Sequence, residues 1–538
     1  MKSLKCISII LLVLLLITAC NSNTDIINGE TGKETSGNRN PIDGGTVTVS
    51  TTRFQTLNPL FNRNNDLYQI HHLLYEGLVT FREDMSVKPL LAESWKFNGA
   101  ESVDFKLRAG VKWHDGQPLI IEDVIFTFNT IRGSIRGLDR ISIYRESLEN
   151  IKDIVKIDEN TIRVIVSDNV ANILETMTFP ILPKHVFQNN QAQLLKQDDL
   201  NVVGTGMYKI KEYEKTRRIS LVRNNDYWGD RPYIEEINVL IVPDEEAQLS
   251  LFENGDIDFV HTRIVDWGKY TDDKTIRHAE FIIPDYEFMG INFRKNILND
   301  VNIRKAIAYG IDREKIIDNV YLGHATVADY PVMPNSWLYD YDKVQLGFNP
   351  NLAATFLDKA GYMLRGNNDL RTNEKGEIIN LKLVTNTGNP LRNQTALFIQ
   401  EDLNKIGIQL EIEFLEWDDL KGQITTNSYD LFLGGWELSY IPDITDMFHS
   451  SVKGSANFVA YNNEELDALL DTYLIDTNPI SKKQKFSDLE EHIVRDLPYI
   501  SLFFKNGAII MNKKIKGDLE PHSYNVFSNI NNWYINTE

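Results

Sequence analysis

Hydrophobic and polar positions alternate along this chain in several distinct rhythms. Ile9 to Ile17 is an unbroken apolar run of nine residues, too short to cross a bilayer comfortably, which takes about 20. Thr46-Val-Thr-Val-Ser50 alternates with β-branched residues and predicts the first strand. Asp104-Phe-Lys-Leu-Arg108 alternates as well; Gly110 then leads into Val111-Lys-Trp113 and an Asp115-Gly116 turn, a pattern that predicts a hairpin. Further on, Ala396, Ile399, Leu403 and Ile406 mark one face of a helix, and Gly407 suits its left-handed cap. Ile408, Leu410, Ile412 and Phe414 alternate as a strand, and Tyr429-Asp-Leu-Phe-Leu433 predicts another, running into Gly434-Gly435-Trp436. Helix, glycine and strand in that order indicate α/β layering. No repeat of 20 to 50 residues recurs, which argues against a solenoid or propeller.

Composition changes this picture little. The chain has 538 residues, 42% hydrophobic and 25% charged, enough for a large buried core in several domains. After Ile17 no segment reaches about 18 uninterrupted apolar residues, so no second membrane span is expected. The net charge is −20, and it grows more negative by two if a leader carrying Lys2 and Lys5 is removed. That opposes nucleic-acid binding and a flat attachment to an anionic membrane. Cys6 and Cys20 are the only cysteines, which leaves no disulfide to hold the domain.

The first 20 residues do change it. Lys2 and Lys5, the apolar run and then Ile17-Thr18-Ala19-Cys20 form a secretion signal. Its end looks like a bacterial lipobox, in which Cys20 receives a diacylglycerol; a plain signal peptide that happens to end in cysteine is the competing reading. Residues 1–19 are then the signal peptide and 20–45 a flexible lipidated tether, polar and broken by Gly29, Gly32, Gly37 and Pro41. The expected location is the extracytoplasmic face of the bacterial cell membrane.

Catalysis finds no positive support in the chain. It lacks a His-Glu-x-x-His motif, a Gly-x-Ser-x-Gly elbow and a convincing Ser-x-x-Lys. Gly204-Thr205-Gly206 is a short glycine turn with neither the lysine nor the spacing of a phosphate loop. His71-His72 and His114-Asp115 are the best metal candidates, but each lacks a second ligand pair and reads as structural. No enzyme, cofactor or metal site is therefore expected, with a surface-tethered hydrolase as the distant alternative.

Segments along the whole chain resemble the extracellular solute-binding family 5, the receptors of bacterial ABC importers for peptides and nickel. They are Tyr75-Glu-Gly-Leu-Val79, Pro89-Leu-Leu-Ala-Glu-Ser-Trp95, Phe105 to Gly116, Glu122-Asp-Val-Ile-Phe126 and Ile181-Leu-Pro-Lys-His185. Gly204-Thr-Gly206 with Tyr208, Asn224-Asn-Asp-Tyr-Trp-Gly229, Arg304-Lys-Ala-Ile307, Ile311-Asp-Arg313 and Asp496-Leu-Pro498 continue in family order. Their own chemistry is structural: Trp95, Trp113 and Trp228 suit core packing, and Asp123 and Asp312 stand where helices start.

The resemblance implies an α/β, two-lobed periplasmic-binding-protein fold with an inserted domain. Lobe I would comprise 46–82, 203–287 and 507–538, the insertion 83–202 and lobe II 288–506. It also implies a monomer that encloses an oligopeptide or other small solute by hinge closure and hands it to an ABC permease. In peptide-binding members the tract around Gly435-Trp436 pairs with the peptide backbone, and an aspartate a few residues on holds its ammonium. Here Ser439 stands third after Trp436, leaving Asp443 or Glu437 as the acceptor. Arg53 and Phe54 after the first strand, Asn292 and Arg392 complete the expected lining. Arg392 could grip a carboxylate or sit in a surface ion pair, and Phe54 could equally be core. A nickel chelate, an oligosaccharide or a signalling peptide is the alternative cargo.

Overall fold

The computed structural model describes residues 41–133, 142–167, 170–189, 194, 202–343, 346–365, 369–452 and 457–536. Cys20, the signal and the tether as far as residue 40 lie outside them. The described chain is mixed α/β, built around two large hydrophobic cores.

The first core serves two sheets. In one, Thr46–Thr52 runs parallel to Glu236–Val242, followed outward by antiparallel Arg218–Arg223 and Tyr208–Glu214. The other is antiparallel, in the order Ala92–Asn98, Ser102–Leu107, Thr161–Val166, Ile151–Lys156. Val49 and Val239 of one sheet share a core with Phe105 and Ile162 of the other.

The second core fills around a seven-stranded sheet that includes Asn380–Asn386, Gln409–Leu415 and Leu431–Glu437. Helix Pro390–Lys405 starts where the Asn389 side chain accepts from the Arg392 N–H at 3.1 Å. It buries Ala396, Ile399 and Leu403, and Gly407 beyond it has φ +88°, a left-handed conformation cheap only for glycine. Strand Gln409–Leu415 then runs parallel to Asn380–Asn386, as the alternation predicts.

Two long strands join the cores. Ile276–Ile291 and Tyr499–Asn512 lie antiparallel and cross from one core to the other. Phe281, Ile283, Ile509 and Met511 sit in the first core, while Tyr286, Phe288, Ile500 and Phe503 sit in the second. Their pairing is interrupted between Ile282 and Tyr286, where Pro284 supplies no N–H.

Elsewhere the two halves clasp each other directly. The Trp337 N–H donates to the Asp84 carbonyl at 2.8 Å, and the Ala171 N–H to the Leu474 carbonyl at 3.0 Å. Lys482 Nζ reaches the Ala171 carbonyl at 2.7 Å and Glu175 at 3.3 Å, both side chains nearly buried.

Three expectations change in detail. Asp104–Arg108 does not pair with Val111–Trp113: strand Ser102–Leu107 lies between Ala92–Asn98 and Thr161–Val166. The short hairpin is instead 111–119, where Trp113 N–H donates to the Gln117 carbonyl at 2.8 Å across the Asp115-Gly116 turn. Asp123 sits inside its helix rather than at its cap, accepting from the Ile120 N–H at 3.0 Å and from Trp113 Nε1 at 3.1 Å. Gly434 to Glu437 belong to strand Leu431–Glu437 instead of following it.

Candidate ligand cavity and the tract that closes it

Helix Asn65–Leu74 begins at Asn64, whose side chain accepts from the Leu67 N–H at 2.8 Å. Its buried face sends Leu67, Ile70 and Leu74 into the first core. Tyr68 and His72, four residues apart, therefore share a neighbouring face, their rings 4.9 Å apart and nearly perpendicular. The C-terminal segment folds back so that Tyr524 stands 4.6 Å from His72 and 4.8 Å from Phe81. Behind these rings lies a cavity of about 280 Å³, lined also by Tyr75, Glu76, Lys88, Tyr144, Trp228 and His522.

Burial sets the charge of this cavity. Desolvation pushes His71 down to about 3, His72 to about 4 and His522 to about 3, so all three imidazoles are neutral near pH 7. Burial pushes the Glu76 carboxyl up to about 7. Trp228 Nε1, Thr205 Oγ1 and Tyr227 Oη pull the other way, donating to it at 2.9, 2.8 and 2.8 Å. Three polar atoms have no partner among the described residues: His72 Nε2, Tyr75 Oη and His522 Nδ1. Leaving such an atom dry and unpaired costs about 1–3 kcal/mol.

The tract after Trp436 reaches this cavity from the second core. Strand Leu431–Glu437 pairs along its length with 285–291 on one side. On its other side Asn380–Asn386 pairs only at Leu431 and Phe432, and Thr385 Oγ1 reaches the Leu433 carbonyl at 2.9 Å. Gly434 to Glu437 thus have a strand neighbour on one side only among the described residues. Beyond them Tyr440 packs 5.4 Å from Tyr524 and 6.0 Å from Phe81, covering the cavity wall from outside.

The expected site residues divide accordingly. Trp436 stacks on Phe288 at 6.4 Å and is half-buried. Gly435 is required by packing, since a Cβ there would lie 2.5 Å from Arg392 Nη2 and 2.9 Å from Glu287 Oε1. Arg392 is committed: its Nε and Nη2 grip Glu287 at 2.7 and 2.8 Å, and Nη1 donates to Asn386 at 3.0 Å. It is an ion pair, and a largely buried one, with Lys505 adding a second cation to Glu287 at 3.2 Å. Glu437 is exposed, 3.7 Å from Arg263. Ser439 accepts from the Ile441 N–H at 3.1 Å, and Asp443 from the Thr445 N–H at 3.0 Å. Both line a second cavity of only about 50 Å³, room for a water or two.

Asn292 does not line a ligand space. Fully buried, it donates to the Tyr429 carbonyl at 2.8 Å and accepts from the Arg294 N–H at 3.2 Å, fixing the chain that enters strand Leu431–Glu437. Arg53 is exposed, and Phe54 packs half-buried against Tyr213 at 6.4 Å, on the core side.

A profile of bacterial extracellular solute-binding proteins, family 5 (middle region), matches residues 86–458. The chain belongs to this family. Among curated relatives, oligopeptide-binding protein AppA of Bacillus subtilis is 29% identical over 549 aligned positions, 99% of this chain and 98% of the relative. Its structure with a nonapeptide superposes with a TM-score of 0.63 at 28% identity, covering 93% of this chain and all of that one. Heme-binding protein A of Haemophilus influenzae is 25% identical, covering 84% of this chain and 86% of the relative. The structure of HbpA2 from Haemophilus parasuis gives a TM-score of 0.80 at 21% identity, covering 92% of this chain and all of that one, a likeness of fold. Among the described residues no helix is long and apolar enough to cross a membrane, and no three metal-ligating side chains gather.

The sequence of this family 5 protein singles out the tract after Trp436 and not the cavity behind it. His522 and Tyr524 are not among the sequence-derived candidates, and His72 is weighed there only as a metal ligand. The available signal was the spacing of Tyr68 and His72, and of His71 and Tyr75, as aromatic pairs four residues apart on one helix.

Proposed function

We propose that this chain is a lipid-anchored extracytoplasmic receptor that captures oligopeptides between two lobes and delivers them to an ABC permease. The observation that carries the reading is the half-paired strand end Gly434–Glu437, placed beside the interrupted crossing strands. An extended peptide can add there as a further strand, its main chain giving affinity without regard to sequence. The oligopeptide-binding relative from Bacillus subtilis, similar over nearly the whole chain, supports it. Glu437 and Asp443 are the acidic groups of the tract itself that would receive an amino terminus, since Ser439 carries no charge.

The proposed lobes are 46–82 with 203–287 and 507–538, and 288–506, with 83–202 inserted. Closure would bend the crossing strands at Pro284 and make the clasp between Asp84 and Trp337. Cys20 would carry the lipid, and the receptor would act as a monomer without turnover of its cargo.

Native mass spectrometry of the mature protein, before and after incubation with a peptide mixture, tests this. Intact peptides should be retained and should raise the melting temperature. If peptides neither co-purify nor stabilise, the peptide assignment fails; if they are cleaved, the receptor reading fails. A compact non-peptide solute is the second reading, favoured by the ring-lined cavity, and the same spectra would show its mass.

A further inference from the structure

The contacts that join the two halves differ in kind, and one of them buries charge. We propose that the Lys482–Glu175 pair is a brake on closure. It holds the cargo-free lobes apart and so sets the affinity of the receptor from outside the strand edge that takes the cargo. The proposal rests on the hinge movement of the receptor reading above.

Position comes first. Val170 and Ile173 belong to the first core, and Tyr473 and Phe486 to the second. Helices Glu464–Leu474 and Pro479–Asp496 bring Tyr473 and Lys482 against segment 170–176, so Lys482 and Glu175, 307 residues apart, meet between the cores. Neutral groups make the neighbouring contacts: the Ala171 N–H on the Leu474 carbonyl, the Trp337 N–H on the Asp84 carbonyl, and Asn335 Nδ2 on the Glu83 carbonyl at 3.0 Å. Arg263 and Glu437 also face each other across the halves, but Glu437 is exposed.

Energetics give the sign. Lys482 and Glu175 are each 5% exposed, so bringing the halves together strips water from both ions. What replaces the water is incomplete. Lys482 Nζ has the Ala171 carbonyl at 2.7 Å and Glu175 Oε1 at 3.3 Å, with the rings of Tyr473 and Trp337 5.6 and 6.0 Å away. Glu175 Oε2 has no partner among the described residues, and neither has Asn172 Nδ2 three residues earlier. A buried pair with an unsatisfied oxygen opposes the contact that buries it, and two apolar side chains of similar length would favour that contact.

Tyr473 links the pair to the cargo. Its single hydroxyl proton faces two acceptors: the Pro442 carbonyl of the tract after Trp436 at 2.9 Å, and Asn172 Oδ1 across the junction at 3.3 Å. Cargo that settles against the tract therefore acts on the same junction, and its binding offsets the cost of burying the two ions.

Amide exchange and calorimetry on the full mature protein, freed of retained cargo, decide the matter. The variants are Lys482→Met, Glu175→Gln and the double variant Lys482→Met, Glu175→Met; the probe is pentaalanine. The Ala171 N–H, protected by Leu474 when the halves meet, should exchange readily in the cargo-free wild type and roughly tenfold more slowly in the double variant. Pentaalanine should bind the double variant roughly tenfold more tightly than the wild type. Each single variant should bind it roughly tenfold more weakly, because one ion is then buried alone. Slower exchange in a single variant, or exchange no slower in the double variant, means that the pair does not oppose closure and overturns the brake. Equal affinities across all four proteins overturn it as well and leave the peptide receptor standing. If exchange follows the expected order and pentaalanine binds none of them, the brake stands and the peptide reading falls.

Discussion

The strand end Gly434–Glu437 and the ring-lined cavity lie on either side of Tyr440, and they are built from opposite materials. The strand end is backbone held in place by charge: Gly435 exists because Arg392 and Glu287 pack against it, and Lys505 and Arg263 surround it with further ion pairs. The cavity is side chain held in place by apolar burial, its histidines neutral and its buried carboxylate, Glu76, tied down by three donors. A half-paired strand edge meets a partner through its backbone, and a ring-lined cavity meets one through its shape. The pair teaches that breadth and choice can be built from different materials.

The most damaging way to break this comparison is Arg392→Met. It leaves Glu287 buried with Lys505 alone, and the expected loss of stability is about 3–5 kcal/mol in urea unfolding. Affinity for pentapeptides should fall, and an unchanged affinity would separate the ion pair from the edge.

Protons act on the cavity through its buried histidines and Glu76. His71, His72 and His522 stay neutral when folded and take up protons below about 6.5 only when unfolded, so stability should fall as pH drops from about 6.5 towards 4. Glu76 works in the other direction: folded, it keeps its proton up to about 7, and stability falls as pH rises from 4.5 through that value. His522→Phe should flatten the acid limb and Glu76→Gln the rising one, read from urea midpoints across that range. An acid limb unchanged by His522→Phe would place the protonation elsewhere.

Tyr440→Ala removes two ring contacts worth about 0.5–1.5 kcal/mol each. The urea midpoint should fall, and pentapeptide affinity should change less than in Arg392→Met; a larger affinity loss than in Arg392→Met would make Tyr440 part of the edge. The smallest effect belongs to Asp443→Asn, which should leave the melting temperature within a degree or two of wild type, in keeping with about 0.5 kcal/mol or less at an exposed cap. Free-amino peptides should lose affinity and N-acetylated ones should not; parallel losses would confine Asp443 to capping Thr445.

Local order was legible from the chain, and distant meetings were not. Helix Pro390–Lys405, its Gly407 cap and the strand after it follow from periodicity within about 25 residues. The pairing of 104–108 with 111–113 fails because Ser102–Leu107 is already flanked by Ala92–Asn98 before it and by Thr161–Val166 beyond an intervening helix. Arg392 was legible as a polar position, but its meaning depends on Glu287, 105 residues earlier. His72 and Tyr524 stand at opposite ends of the chain, and only the return of the C-terminal segment onto the first core makes them neighbours.

The crossing strands carry one more consequence. Both run unbroken from core to core, and their ladder is interrupted at 283–285 and slips once more between Glu287 and Phe288. A ribbon softened over this short stretch and stiff on either side would fold there, as a book does about its spine. The outline shown to a membrane partner when shut is then a property of the binding, and hardly of the page within. One docking face could serve for every cargo, and selection would be finished before the transporter is met.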